Sequence, residues 1–565
     1  MSKKIIKKLS ACMGAAMACT MVVGVAGSIQ TKSATASNDK TAFSSEITAV
    51  SHAYGETIQL LPEEVKLWNE SEKFDAAYLN GLYEYTTLHQ EFVTAVGKKD
   101  NDANVAEMYR QLDAFNPVNN VLKWESSLAN VASYTVRVAY DYKFTQCILK
   151  EENADMEEGV LLENPLAGTD YYWQVIAVTN SGDRIYSPIF NFTTADTLRT
   201  VTIDGVSNTR DIGGYETAYG YVKQGLVYRS ARLESITEEG METLKNGLGI
   251  KTDLDLRGKA EANTGANREN PLGLDEAHYQ VFDTPQYAYT GELGMDSEAH
   301  IKNVAKIMKV FTDKNNYPID VHCAVGRDRT GTITALLKAV LGYAENDITN
   351  DYFTSMFATT GAWSKETTFT NYSMIMNVLS YLNSFEGETL ADRAANYLIT
   401  ECEMSQEDID AIRDIMTGKV EVEIPAEKTV EDTDNYAEYS FVTFEKFGTA
   451  KVLTLVGANE KVTAPFEAGE GYVWMVDGQE YDFDAIVTKD MTVKAIKPIT
   501  YEVTINATGA FTSQETVTVS EGATFDLTSL EKSGYDCIVI SDEGQVITEL
   551  TVVENTTLNV IYLQK

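Results

Sequence analysis

Cysteine is scarce in this sequence, with six residues in 565. Cys12 and Cys19 lie near the N-terminus, and Cys147, Cys323, Cys402 and Cys537 are widely scattered. Such spacing builds no disulfide framework. Histidine is equally rare, with five residues. His52 and His89 stand alone, without neighbours at metal-ligand spacing, so no metal centre is expected around them. Positive charge is also short: 46 Lys and Arg face 84 Asp and Glu, for a formal net charge of −38. A chain this acidic repels nucleic acid and anionic membrane at long range, so no nucleic-acid partner is expected. After the N-terminal stretch no run approaches the ~18 apolar residues of a membrane span, so no transmembrane segment is expected.

What is present reads as folded protein, with 44% hydrophobic and 23% charged residues. The length exceeds one hydrophobic core and implies several domains. Residues 1–36 have the form of a secretory signal peptide. Lys3, Lys4, Lys7 and Lys8 make a basic start, an apolar run of small residues extends from Leu9 to Gly27, and Ala34-Thr35-Ala36 offers a cleavage site, with Val25-Ala26-Gly27 as a second choice. The expected location is therefore secreted or extracellular, with association at the cell surface as an option.

The chain is organised around His322-Cys323-Ala324-Val325-Gly326-Arg327-Asp328-Arg329-Thr330-Gly331. An apolar strand, Ile319 to Val321, precedes it. Behind it, Ile333, Leu336, Leu337, Val340 and Leu341 mark one buried face of a helix. A strand, a tight loop and a helix N-terminus form an anion cradle of backbone N–H groups and positive helix end. Gly326 supplies unusual backbone freedom, and the Arg329 guanidinium matches two phosphoryl oxygens at once. A thiol in that field loses its proton easily, which makes Cys323 a nucleophile. His322 would orient the loop, and the Thr330 hydroxyl would stabilise the sulfur as a leaving group. The implied chemistry is a cysteinyl-phosphate formed and then hydrolysed. No cofactor is required, because cradle and arginine supply the charge.

This His-Cys-x5-Arg-Thr-Gly pattern resembles the signature of the cysteine-dependent protein tyrosine phosphatases. Asn208-Thr209-Arg210-Asp211-Ile212-Gly213-Gly214-Tyr215 and Leu226-Val227-Tyr228-Arg229-Ser230-Ala231-Arg232 are similar to the bacterial tyrosine-specific and dual-specificity branch. The resemblance implies a phosphotyrosine-containing protein or peptide substrate. Catalysis would fall to Cys323, Arg329, Asp328, His322 and Thr330. Substrate binding would fall to Ala324, Val325, Gly326, Arg327, Arg210, Asp211 and Arg229. That branch uses an acid at the position of Asp328. Asp283, in Val281-Phe282-Asp283-Thr284-Pro285, is the alternative, similar to the mobile acid loop of the wider superfamily. Where the branch usually has Lys, this chain has Arg327, which counts against phosphoinositides as substrate. Two other readings remain open: a phosphoinositide or small phosphate-ester phosphatase, and a surface adhesion protein whose phosphatase domain only binds.

The expected architecture is multidomain. After the signal, residues 37–116 are unassigned. Residues 117–196 alternate apolar and polar residues in short segments and resemble a fibronectin type III sandwich. Residues 197–417 form the α/β phosphatase domain, a central sheet flanked by helices. Within it Ile250 to Leu256 reads as a strand, with Asp253 and Asp255 expected at solvent or turns. Asn346 to Phe353 reads as a helix packing behind the site. An acidic linker, 418–436, leads to two β-rich repeats, 437–499 and 500–565. There Val487–Ile496 echoes Val552–Ile561. These resemble repeats of bacterial surface proteins, and surface or protein partners are expected for the β domains. Cys402 offers a possible disulfide partner for Cys323, although a packed thiol is the simpler reading.

Overall fold

The computed structural model describes residues 41–44, 46–52, 55–62, 65–66, 116–258, 270–282, 284, 294–358, 375–425, 429–430, 432, 439–446, 450–457, 460–465, 467–520 and 524–565. The signal peptide, His89, Cys12, Cys19 and Asp283 lie outside the described residues. Among the described residues, no helix is long and apolar enough to cross a membrane.

The first β-rich region is built on two long strands, β6 (Val131–Ala139) and β9 (Asp170–Thr179), which pair antiparallel. Both are rich in β-branched and aromatic residues, the composition that packs best on a pleated surface. Strand β7 (Cys147–Glu152) pairs with the far edge of β6. On the other edge of β9 lie β10 (Arg184–Tyr186) and β11 (Phe190–Thr194). Strands from before residue 117 also pair with this region. Strand β1 (Thr41–Phe43) adds parallel to β10, and β3 (Glu56–Ile58) adds parallel to β11. β2 (Ile47–Ala49) pairs with β5 (Trp124–Ser126). These strands are too short to carry a visible period; β1 and β3 form the two ends of the larger sheet, and β2 and β5 a small sheet of their own. Trp124 and Trp173 are buried in the core of this region, and the Trp173 indole N–H donates to the His52 carbonyl at 2.6 Å.

The α/β region carries a five-stranded sheet. Its order is β12 (Arg210–Asp211), β15 (Val227–Ser230), β18 (Ile319–His322), β16 (Thr252–Asp255) and β17 (Tyr279–Val281). β12 runs antiparallel at the edge, and the other four are parallel. The central strands are buried on both faces, as parallel sheets are. α3 (Asp328–Val340) packs on β15 and β18, α4 (Glu345–Thr354) and α5 (Leu390–Thr400) pack on α3, α6 (Gln406–Met416) packs on α5, and α2 (Glu298–Val310) joins the same apolar core. Helices α5 and α6 each start with a capping box, at Thr389/Asp392 and Ser405/Asp408. α3 is enclosed from Arg329 onward, so its apolar face meets the sheet while its remaining sides meet other helices.

Described residues of the stretch read as a linker pack against both neighbouring regions. Val422 and Ile424 join the α/β core, and Asp432 is buried against Arg137 (2.5 Å) and Lys150 (3.3 Å) of the first β region. Beyond it are two sheets of like strand order. In one, Tyr439–Lys446 pairs antiparallel with Ala450–Gly457 and parallel with Met491–Ile496. In the other, Thr500–Gly509 pairs antiparallel with Ser513–Ser520 and parallel with Thr556–Gln564.

Candidate active site

The turn from β18 into α3 places the site. β18 is the middle strand, so its carboxyl end opens onto the crevice where α/β sheets bind ligands. His322 is the last residue of β18, and Cys323 to Arg327 make the turn. Gly326 sits at φ 73°, and a Cβ there would come within 2.4 Å of the Ser230 carbonyl oxygen. The loop therefore lies on the end of β15 as closely as backbone permits. Helix α3 begins at Asp328 without a side-chain cap, which suits a helix start that receives an anion.

Cys323 is 2% exposed. Burial would raise its pKa, but the Arg329 charge and the Thr330 hydroxyl and backbone N–H bring it below the ordinary thiol value. The Thr330 hydroxyl is buried and closes no hydrogen bond in the resting geometry, which leaves it available to the sulfur. Arg329 is nearly buried on the first turn of α3. Ala324, Val325 and Arg327 are half-buried around the turn. Asp328 is at the rim, accepting from the Tyr352 hydroxyl at 3.1 Å and from Arg327 Nε at 3.2 Å.

The three site residues named from the upstream motifs lie behind the loop and are fully buried. Arg210, Asp211 and Arg229, read from sequence as substrate contacts, are each 0% exposed and held in ion pairs. Arg229 Nη2 donates to the Gly326 carbonyl at 2.8 Å and Nη1 to Asp351 at 2.6 Å. Arg210 Nε donates to Asp351 at 2.6 Å, and its Nη1 donates to the Asn208 amide oxygen at 2.6 Å. Asn208 in turn donates to the Val325 carbonyl at 2.9 Å. Asp211 serves the neighbouring seam, accepting from Arg199 and from the Gly213 and Gly225 amides. Arg229, and Arg210 through Asn208, thus brace the loop from behind, and Asp211 braces the seam.

Asp351, on α4, escaped the sequence reading. Its carboxylate collects Arg210, Arg229 and Lys338 (Nζ 3.1 Å). Burial would push it up, but the three cations hold it well below the usual carboxylate range. Asn346 to Phe353 showed only as a helix, because nothing local reveals which acid of that segment faces two arginines far away in the chain.

Beneath the nucleophile, Asp253 and Asp255 are fully buried, not at solvent. Both lie on β16, beside β18, where Asp253 is in register with Asp320 and Asp255 with His322. Asp255 is held by Arg257 (Oδ2 to Nη2 2.7 Å). Asp253 Oδ1 lies 2.9 Å from His322 Nε2, without a straight hydrogen bond. The alternation that suggested solvent exposure fails because the sheet is covered on both faces. Burial alone would lower the His322 pKa, but Asp253, Asp255 and Asp320 lift it to about 10. Cys402 is packed in the core with its thiol pushed up to about 12 by burial, the environment of an inert cysteine. All four described cysteines are free.

Comparison with known proteins agrees with this geometry. The sequence profile of the tyrosine phosphatase family matches residues 201–418, so a tyrosine phosphatase family domain occupies that part of the chain. A Cupriavidus necator protein named as a candidate tyrosine-protein phosphatase is 28% identical over 173 residues, covering 27% of this chain. The match spans 62% of that relative's length. The solved structure of the Siw14 catalytic core aligns over 30% of this chain and 90% of its own, at 16% identity and a TM-score of 0.18, too slight a likeness to argue from.

Proposed function

We propose that the protein is an exported, cysteine-dependent phosphomonoesterase that hydrolyses phosphotyrosine in proteins. The observation that carries the reading is Cys323: a buried thiol with a lowered pKa at the start of α3, flanked by Arg329 and Thr330. Arg329 and the loop amides bind the phosphoryl group. The Cys323 thiolate attacks phosphorus, the S–P bond forms, and the P–O bond to the tyrosyl oxygen breaks. Asp328, at the rim beside Tyr352, gives the leaving oxygen its proton. Water, deprotonated by the same carboxylate, then attacks phosphorus, and the S–P bond breaks. Thr330 stabilises the returning thiolate. His322 and its carboxylates fix the base of the loop.

The flanking β regions are read as a fibronectin type III-like sandwich and two surface-protein repeats that place the enzyme among its partners. The shared strand order of the two C-terminal sheets supports the repeat. The basic, apolar and small-residue succession of residues 1–36 supports export.

The test is phosphate release by the full chain from a phosphotyrosyl peptide, a phosphoseryl peptide and a phosphoinositide, with metal chelated and Cys323→Ser as control. Turnover of the tyrosyl peptide, lost in the variant, is expected. Faster release from the phosphoinositide would overturn the substrate assignment, and no release from any would overturn the activity.

A further inference from the structure

Three successive carbonyls of the loop are tied back to one buried carboxylate. The Val325 oxygen accepts from Asn208, which is itself held by Arg210. The Gly326 oxygen accepts from Arg229 at 2.8 Å, and the Arg327 oxygen from the same nitrogen at 3.4 Å. Both arginines converge on Asp351, one on each carboxylate oxygen, and Arg210 Nη2 adds a bond to the Asp351 backbone carbonyl at 2.7 Å. A trans peptide is planar, with its N–H pointing opposite to its C=O. Pulling the carbonyls of Val325, Gly326 and Arg327 to the back therefore turns the amides of Gly326, Arg327 and Asp328 to the front, towards the seat of the anion.

We propose that Asp351 is a positioning residue for the phosphate cradle: through Arg229, and through Arg210 and Asn208, it sets the direction of three consecutive loop amides. The proposal rests on reading this loop as a phosphate seat, but not on turnover. Asp351 lies on α4, outside the loop, with its carboxylate taken up by Arg210, Arg229 and Lys338; it acts on the loop through the two guanidinium forks. Arginine is needed at both places. Arg229 meets Asp351, Thr334 and the Gly326 carbonyl simultaneously, which a single ammonium on a flexible stem does less well. The three sequence motifs, around Asn208, Arg229 and Cys323, are thereby joined at one acid that belongs to none of them.

The experiment is titration of the full chain with inorganic phosphate, alongside the pH dependence of Cys323 alkylation by iodoacetamide, read by peptide mass. Asp351→Asn keeps the shape but removes the charge and one acceptor. It is expected to weaken phosphate binding about tenfold or more and to move the alkylation midpoint upward, because misdirected amides no longer favour negative charge. Asn208→Gly, which accepts the positive φ of 62° at that position, removes only the Val325 tether and should weaken binding in the same direction. It carries the test if Asp351→Asn does not fold. In a double-mutant cycle, Asp351→Asn and Arg229→Lys should overlap rather than add. A folded Asp351→Asn or Asn208→Gly protein with wild-type phosphate affinity and alkylation profile would overturn the proposal, even if its melting temperature fell. Wild-type protein that binds phosphate without hydrolysing any ester would overturn the proposed activity and leave this role standing. Wild-type protein that binds no phosphate would overturn both.

Discussion

Arg199 donates to Asp211 from Nη1 to Oδ2 at 2.8 Å, both side chains sealed from solvent. The same guanidinium donates to the Pro165 carbonyl at 3.1 Å and the Asn164 carbonyl at 2.7 Å in the first β region. One side chain thus fastens that region to the strand bearing Arg210. Replacing it leaves Asp211 buried and short of a charge partner, a change that costs about 3–5 kcal/mol. Arg199→Ala should lower the urea midpoint of the α/β region accordingly. An unchanged midpoint would show that the seam contributes nothing.

The nucleophile should ionise early. Activity requires the thiolate, so the acid limb of kcat/KM is expected below the pH at which an ordinary thiol titrates, given the influence of Arg329 and Thr330. Thr330→Ala removes one donor available to the sulfur. It should shift the alkylation midpoint of Cys323 upward and lower kcat by about 10²-fold, the scale of one lost donor to developing charge. Accumulation of cysteinyl-phosphate, visible by mass, would place the loss in the second step. A Thr330→Ala protein with the wild-type profile would remove Thr330 from the reaction.

Asp328, proposed as the general acid, is partly exposed and held by Tyr352 and Arg327. Asp328→Asn should lower turnover of phosphotyrosyl peptide by about 10²–10⁴-fold, the range of general acid–base catalysis. An aryl phosphate whose phenol is strongly acidic needs no proton on leaving, so its phosphorylation step should change much less. Equal losses on both substrates would transfer the acid role elsewhere.

Stability should fall as pH rises. The folded chain keeps a proton on His322 up to about 10, against its ordinary 6.5, so the stabilisation is complete below 6.5 and is lost towards 10. Burial pushes the Asp320 carboxyl up to about 7, so the folded state binds a proton that the unfolded chain releases from about pH 4, and stability falls between them. Asp351 acts oppositely, since its depressed pKa is a stabilisation lost only in acid. Melting temperature should therefore decline from mildly acidic to alkaline pH. His322→Gln should flatten the part above 6.5, and an equally steep slope in that variant would refute the assignment.

Gly326→Ala should be damaging out of proportion to one methyl group. The left-handed backbone alone costs roughly 1–2 kcal/mol for an alanine, and its Cβ would lie 2.4 Å from the Ser230 oxygen. Loss of phosphate binding with partial retention of fold is the expected result. Wild-type affinity would mean the loop can move off β15.

Local chemistry determined much of this protein. A nucleophile next to a histidine, a glycine where the backbone must turn, an arginine on the following helix and the apolar periods on either side can all be read in one continuous stretch. The long alternating segments were likewise legible as strands, because their pattern repeats over many residues. Tertiary structure decided the rest. Three-residue strands such as Glu56–Ile58 have no period to detect and form only because an open sheet edge awaits them. Asp253 and Asp255 look like solvent-facing acids until helices cover both sides of the sheet. Asp351 is one acid among many in a chain with 84 acidic residues. It is singled out only when folding brings Arg210, Arg229 and Lys338 to it, since a buried charge is defined by the partners that compensate it and those partners are distant in sequence.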